Sequence, residues 1–247
     1  MPRPRLSLAA LVLITIPACG RKPPEPGELI DAALAAHGGE ANVGKFPAST
    51  LTFKGKVFGT GADTPVSGTI IVAGPDRQRS EMVLETGGQK VPVVTVLAGD
   101  KGWSKVPGAT KPLTPDEVAE AKEQCHAAWV ATLIPLKDPA VTLTGLGESE
   151  VEGRKAWGVK VSSPGHRDVS LFFDQETNLL AKTETRVKDD SGQEVTEETY
   201  PTGYKDVQGV KQPTRFDVRR NGKRYMEGEA TEVKLAEKLD PNLFTRP

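Results

Sequence analysis

Residues 179–188 read Leu-Leu-Ala-Lys-Thr-Glu-Thr-Arg-Val-Lys, and their side chains alternate between two kinds. Charged side chains occupy every second position: Lys182, Glu184, Arg186 and Lys188. The positions between them carry apolar or small side chains: Leu179, Ala181, Thr183, Thr185 and Val187. Because successive side chains of a strand point to opposite faces, the alternation predicts a strand with a charged outer face and an inner face of small residues.

Comparable segments fill the rest of the second half of the chain, with Gly, Asn or Pro between them. They cover residues 141–146, 156–162, 169–173, 194–200, 210–219 and 223–233. The dipeptide Asn221-Gly222 is typical of a two-residue hairpin turn. Since the connections are too short for helical crossovers, the order predicts a meander of antiparallel strands.

The first half of the chain combines strands with two helices. Alternating apolar residues predict strands over 51–57, 66–72, 91–97 and 103–106. Apolar spacing over 28–37, followed by Gly38-Gly39, predicts a short amphipathic helix.

A second, longer helix has the strongest local signal. It begins at Thr114-Pro115-Asp116-Glu117, where Thr114 and Glu117 can form a capping box and Pro115 suits the first helical position. We expect the helix to reach about Leu133. Its mostly small and apolar stripe comprises Val118, Ala121, Cys125, Ala128, Trp129, Thr132 and Leu133.

Small inner side chains, together with an aromatic content of only 5%, favour a curved sheet that encloses space its own side chains do not fill. The alternative is that the two helices fill the concavity and the protein is a scaffold without a ligand. The candidate cavity residues are Trp129, Val118, Cys125, Leu133, Trp103 and Phe172. Because Phe172 and Phe173 are adjacent on a strand, they point to opposite faces, and core packing is the alternative role for each aromatic residue.

The N-terminus predicts export. Residues 1–18 carry Arg3 and Arg5 and then an apolar run shorter than a membrane-spanning helix, which is the pattern of a signal peptide. Ile16-Pro17-Ala18-Cys19-Gly20 resembles the bacterial lipobox, in which the cysteine receives a diacylglycerol and becomes the mature N-terminus. The alternative is an ordinary cleavage site with an incidental cysteine.

An anchored chain would have three parts: the signal peptide (1–18), a lipidated cysteine with a Pro-rich tether (19–27), and one domain (28–247). We expect it to be exported across the inner membrane, held by the N-terminal lipid and exposed to the periplasm. Gly20 lacks the aspartate that favours inner-membrane retention in some bacteria, which favours the outer membrane.

No motif predicts chemistry, a metal or a cofactor. The net charge of −1 gives no field for nucleic acid, and two cysteines cannot build a disulfide scaffold. The histidines His37, His126 and His166 lack ligand spacing. His166-Arg167-Asp168 resembles a kinase catalytic loop, but Phe173 stands where that loop requires asparagine. We therefore expect a non-catalytic protein, in which Cys125 is a small buried residue.

Several of these features together look like the LolA/LolB-like superfamily of envelope proteins. They are the lipobox, the Gly-Gly after the first helix, the long central helix, and the runs 173–182 (Phe-Asp-Gln-Glu-Thr-Asn-Leu-Leu-Ala-Lys) and 204–213 (Tyr-Lys-Asp-Val-Gln-Gly-Val-Lys-Gln-Pro). More closely, the chain is similar to bacterial lipoproteins described as outer-membrane lipoprotein-sorting-like.

The resemblance covers about residues 28–247 and implies an α+β fold that is mostly antiparallel β. The sheet would be an unclosed, strongly curved half-barrel whose concave face the helices cover. It also implies that acyl chains or another lipophilic ligand bind inside, with a role in lipoprotein or lipid handling. The gating arginine of the soluble carrier and the membrane-entering loop of the anchored acceptor match no residue here.

Overall fold

The computed structural model describes residues 22–59, 63–189 and 191–247. The predicted signal peptide and lipobox, including Cys19, lie outside these ranges. The helices are α1 (Pro26–His37), α2 (Glu40–Gly44), α3 (Pro115–Ala131) and the 3-10 helices η1 (Ile134–Lys137) and η2 (Pro241–Phe244). In the described part of the chain, none of the helices has both the length and the apolar character to cross a bilayer.

The strands that precede α3 are β1 (Ala48–Val57), β2 (Thr64–Ala73), β3 (Arg77–Thr86), β4 (Gln89–Ala98), β5 (Lys101–Val106) and β6 (Ala109–Pro112). Those that follow it are β7 (Thr142–Val151), β8 (Arg154–Ser162), β9 (Val169–Asp174), β10 (Leu180–Lys188), β11 (Glu194–Thr202), β12 (Lys205–Val207), β13 (Val210–Gln212), β14 (Arg215–Arg220) and β15 (Lys223–Ala236). The sequence pattern missed β3, β6 and β12, and it predicted β13 and β14 as a single strand over 210–219. In β3 the charged residues Arg77, Arg79 and Glu81 obscure the apolar positions Met82 and Leu84.

Thirteen strands form one antiparallel sheet in the order β6-β5-β4-β3-β2-β1-β15-β14-β11-β10-β9-β8-β7. Each half of the sheet consists mostly of consecutive strands, which confirms the predicted meander. The exceptions are β15, which lies between β1 and β14, and the separate β12–β13 hairpin.

The position of α3 requires the sheet to curve strongly. The helix contacts β4 near one side of the strand order and β9 and β10 near the other. In a flat sheet, β4 and β10 would lie about 34 Å apart, whereas a helix of this length spans only about 25 Å. The predicted unclosed, strongly curved sheet with helices over its concave face is thus confirmed.

Register identifies the inner face, because directly opposed residues on neighbouring strands share a face. One row runs Val159–Leu171–Thr183–Thr199–Val218–Met226–Val57 from β8 to β1. Val159 and Leu171 in this row belong to the main core together with residues of α1 and α3. The row therefore faces the helices, and Thr183 lies on the inner face as predicted.

The predicted assignment of side chains to the two faces is wrong at the start of β10. The register between β9 and β10 shifts between Leu180 and Lys182, which is a β-bulge. Leu180 consequently packs into the core beneath the helices, while Ala181 packs with Phe172 on the outer face. The prediction that Ala181 faces inward is wrong, because a bulge reverses the alternation.

Candidate functional site

The middle of the sheet carries an apolar cluster on its inner face, which we call the inner apolar surface. Its side chains come from strands only: Leu51, Phe53 and Val57 on β1, Val66 and Ile70 on β2, Met82 and Leu84 on β3, Phe216 and Val218 on β14, and Tyr225 and Met226 on β15. Only Phe53, Val66 and Met226 are buried, and the other side chains remain partly exposed. Among the described residues, no helix residue belongs to this cluster.

Glycines interrupt the inner apolar surface where the strands approach closely. A Cβ atom at Gly55 would collide with the carbonyl oxygen of Glu227 on β15. A Cβ atom at Gly68 would collide with the carbonyl oxygen of Glu81 on β3. Because these sites leave no room for a side chain, the floor of the surface has bare backbone between its apolar residues.

One flank of α3 faces the first half of the sheet. Val118, Cys125 and Trp129 lie on it, since they are spaced seven and four residues apart. On the same flank, Lys122 Nζ lies 2.8 Å from Asp100 Oδ1 in the β4–β5 turn. Val118 and Trp129 are partly exposed, whereas Cys125 is buried.

The environment of Cys125 disfavours the thiolate form. Burial is the main cause that raises the pKa of Cys125 to about 11, and the Asp76 carboxylate adds to it. The hydrogen bond with the backbone of Arg77 has the opposite, smaller effect. These neighbours place Cys125 against the β2–β3 turn, in agreement with the prediction of a small buried residue.

The other flank of α3 is fastened to the second half of the sheet by Glu120, Glu123, His166, Arg167 and Lys188, which we call the α3 clasp. Glu120 Oε2 accepts from Arg167 Nη1 at 2.9 Å, and Glu120 Oε1 accepts from the Lys188 amide at 2.9 Å. Glu123 Oε2 accepts from the Arg167 amide at 2.7 Å, and its Oε1 lies 3.1 Å from His166 Nδ1. The carboxylates of Glu120 and Glu123 thus hold the helix to the 163–168 loop and to β10.

His126 lies beside the clasp. Its ring stacks on that of His166, and burial is the main cause that lowers the pKa of His126 to about 4. The proximity of His166 lowers this pKa further, and Glu123 raises it in part.

Two cavities lie next to the helices. One, of about 220 Å³, lies between α1, α2 and η1, and Leu34, Val43 and Leu133 are among its lining residues. The other, of about 390 Å³, is lined mainly by the α3 clasp. The lining of the second cavity is mostly charged, which differs from the apolar space that the sequence predicts under α3. The first cavity is mostly apolar, and the predicted cavity residue Leu133 lines it, but it lies beyond the end of α3.

The predicted cavity residues fall in different places. Leu133 is buried in the main core at the end of α3, and Trp129, Val118 and Cys125 lie on one flank of the helix. Trp103 and Phe172, in contrast, lie on the outer face of the sheet.

Both outer placements follow from strand alternation. Trp103 is opposite Val96 and packs with the C-terminal residues Leu243 and Phe244. Phe172 packs with Val151 and Ala156, and Lys182 Nζ lies 4.3 Å from its ring centroid. Trp103 and Phe172 are therefore not part of the inner apolar surface.

Sequence reasoning missed the inner apolar surface because its residues come from five strands. The available signal was the isolated glycines Gly55, Gly68 and Gly228 inside strand patterns, which mark close backbone approach. No group of three or more His, Cys, Asp or Glu side chains that could hold a metal occurs within the described residues 22–59, 63–189 and 191–247.

Solved structures share this architecture. A LolA superfamily protein from Nitrosomonas europaea matches with a TM-score of 0.54 and 12% identity, over 89% of this chain and 97% of that one. The chain has the LolA-like fold. A protein described as an outer-membrane lipoprotein-sorting domain, from Vibrio parahaemolyticus, shares the LolA-like fold with a TM-score of 0.52 and 11% identity, over 88% of this chain and 94% of that one.

The LolA-like fold extends to a DUF1329 family protein from Desulfovibrio piger. It matches with a TM-score of 0.57 and 12% identity, over 90% of this chain and 98% of that one. No protein-family model and no curated protein matches the sequence. At these identities the likeness establishes the fold, and the function has to be argued from the site.

Proposed function

We propose that this protein is a lipid-anchored envelope lipoprotein whose LolA-like domain binds an acyl chain on the inner apolar surface, without catalysis. The observation that carries the proposal is the partial exposure of Leu51, Ile70, Met82, Leu84 and Val218 on one continuous inner face. Contiguous exposed apolar side chains usually mark a surface that another apolar group covers.

The chemistry of the surface favours an aliphatic ligand. Its side chains are aliphatic or aromatic, and the neighbouring Thr183 and Thr199 are small. Each methylene group that leaves water for such a surface contributes about 0.8 kcal/mol. A chain of a dozen methylenes would therefore gain enough free energy to bind without a specific polar contact.

The anchor is the second part of the proposal. Cys19 would carry the lipid, and the Pro-rich residues 19–27 would connect it to α1. The protein would then face the periplasm from the outer membrane. Held at the bilayer, the domain would exchange acyl chains with lipids or lipoproteins nearby.

The experiment combines native mass spectrometry with binding of a fluorescent acyl probe. Protein purified from membranes should carry lipid, and the delipidated protein should bind the probe. If neither lipid nor probe is found, the scaffold alternative replaces the proposal.

Adjacent residues on β3 provide a matched pair of variants. Leu84 points to the inner face and Val83 to the outer face, and both are partly exposed. Leu84→Lys should weaken probe binding at least tenfold, because it places a charge on the apolar surface. Val83→Lys should leave binding unchanged, and equal losses in the two variants would contradict the assignment of the inner face.

A further inference from the structure

A phenylalanine covers a glycine in the middle of the inner apolar surface. One row of opposed residues runs Phe216–Gly228–Gly55–Val66 across β14, β15, β1 and β2. A Cβ atom at Gly228 would collide with the ring of Phe216, so the ring lies over this glycine. The row therefore has side chains at its two ends and bare backbone on the two strands between them.

The two glycines differ in what covers them. Gly228 is buried, whereas Gly55 beside it remains partly exposed. The ring of Phe216 is fixed by an edge-to-face contact with Phe53, with 5.5 Å between ring centroids and 70° between planes. The two glycines form a strip of bare backbone across β15 and β1. The ring of Phe216 covers the part of this strip at Gly228, and the part at Gly55 remains open.

The open part of the strip is narrow. Neighbouring strands lie about 4.8 Å apart, and apolar groups in contact have heavy atoms about 4 Å apart. The strip over Gly55, between the ring of Phe216 and the side chain of Val66, is therefore about one alkyl chain wide. It fits one unbranched hydrocarbon chain, and a fused ring system is too broad for it.

We propose that Phe216 sets the length of the acyl chain that the inner apolar surface accepts. The end of the chain enters the strip over Gly55, between Val66 and Phe216, and the ring of Phe216 prevents the chain from extending further over Gly228. This inference rests on the proposed function, because it concerns the same surface and the same class of ligand.

Saturated fatty acids of 10 to 18 carbons, in competition with the fluorescent acyl probe, test the assignment. In the native protein, affinity should rise by up to about fourfold per methylene and then stop rising at one chain length. Phe216→Ala should move that limit to longer chains, because the strip over Gly228 becomes free. Phe216→Leu, which retains more of the packing against Phe53, should move it in the same direction by a smaller amount.

Phe172→Ala is the matched control. Phe172 also lies over a strand glycine, since its ring is in close contact with the Cβ position of Gly158, but on the outer face. The variant loses the same aromatic ring over the same kind of site. Its chain-length limit should equal that of the native protein.

The outcomes separate the two proposals. A limit that shifts in both Phe216 variants and not in Phe172→Ala supports the inference. Binding with an unchanged limit in folded Phe216→Leu overturns the inference and leaves the acyl-binding function intact. If no fatty acid displaces the probe from the native protein, the proposed function fails, and the role of Phe216 fails with it.

Discussion

The imidazole rings of His126 on α3 and His166 in the 163–168 loop are stacked, with 3.8 Å between centroids and 8° between planes. Burial and the neighbouring His166 keep the pKa of His126 at about 4, whereas an exposed histidine titrates near 6.5. Between these values the unfolded chain binds a proton that the folded protein does not. The free energy of unfolding should therefore fall as the pH drops from about 6.5 to about 4, by about 3 kcal/mol from this residue.

His126→Phe tests this pH dependence, because phenylalanine keeps a ring against His166 and cannot be protonated. Urea unfolding at several pH values should show a flatter profile for the variant between pH 6.5 and 4. Below about pH 4 the profiles should become parallel. Parallel profiles across the whole range would show that His126 does not contribute.

The contribution of the α3 capping box to the free energy of unfolding should be measurable. Thr114 Oγ1 accepts from the Glu117 amide at 3.3 Å, and the Thr114 amide donates to Glu117 Oε2 at 2.7 Å. Thr114→Ala should lower the free energy of unfolding by about 1 kcal/mol, whereas Thr114→Ser should nearly restore it. Equal losses in the two variants would mean that the hydroxyl group is not the cause.

Gly55 should not tolerate a side chain. Because a Cβ atom there meets the Glu227 carbonyl oxygen, Gly55→Ala should destabilise the protein by about 3 kcal/mol in denaturant unfolding. Gly44→Ala is the control, since no atom lies within 4 Å of its Cβ position and it belongs to α2. A mild effect at Gly55 would indicate that β1 and β15 can separate locally.

Cys125 should resist thiol reagents. With a pKa of about 11, the thiolate fraction at pH 8 is on the order of one in a thousand, and the residue is buried. In a Cys19→Ala chain, a maleimide or disulfide reagent should label Cys125 only after urea is added. Rapid labelling of the folded chain would contradict the burial of Cys125.

The proposed lipid anchor at Cys19 can be tested by cell fractionation. Cys19→Ala should move the protein from the membrane fraction to the soluble fraction, because in the proposed anchor the acyl chains on Cys19 account for the attachment. Cys125→Ala should remain in the membrane fraction. If the Cys19 variant stays membrane-bound, the attachment has another cause.

The local features of the fold were predictable. The capping box of α3, the end of α1 before Gly38-Gly39 and the hairpin at Asn221-Gly222 depend on residues within a few positions of each other. Such short-range geometry is encoded in the chain directly, and the structure confirms it.

The faces of particular side chains were less predictable. The bulge between Leu180 and Lys182 is visible only in the pairing of β10 with β9. Trp103 lies on the outer face, where the C-terminal segment covers it from more than a hundred residues away. The inner apolar surface depends in the same way on the register of distant strands, so that local patterns indicate its single strands and glycines but not the surface as a whole.

In the sheet, β15 lies between β1 and β14, although it follows both along the chain. A chain exported from its N-terminus would deliver β1–β6 and β7–β14 first, and each set can pair within itself. Until β15 emerges, β1 and β14 each present an unpaired edge, which is prone to aggregation. The sheet is therefore completed only when β15, which follows all the other strands along the chain, pairs with both edges, so folding should be slow.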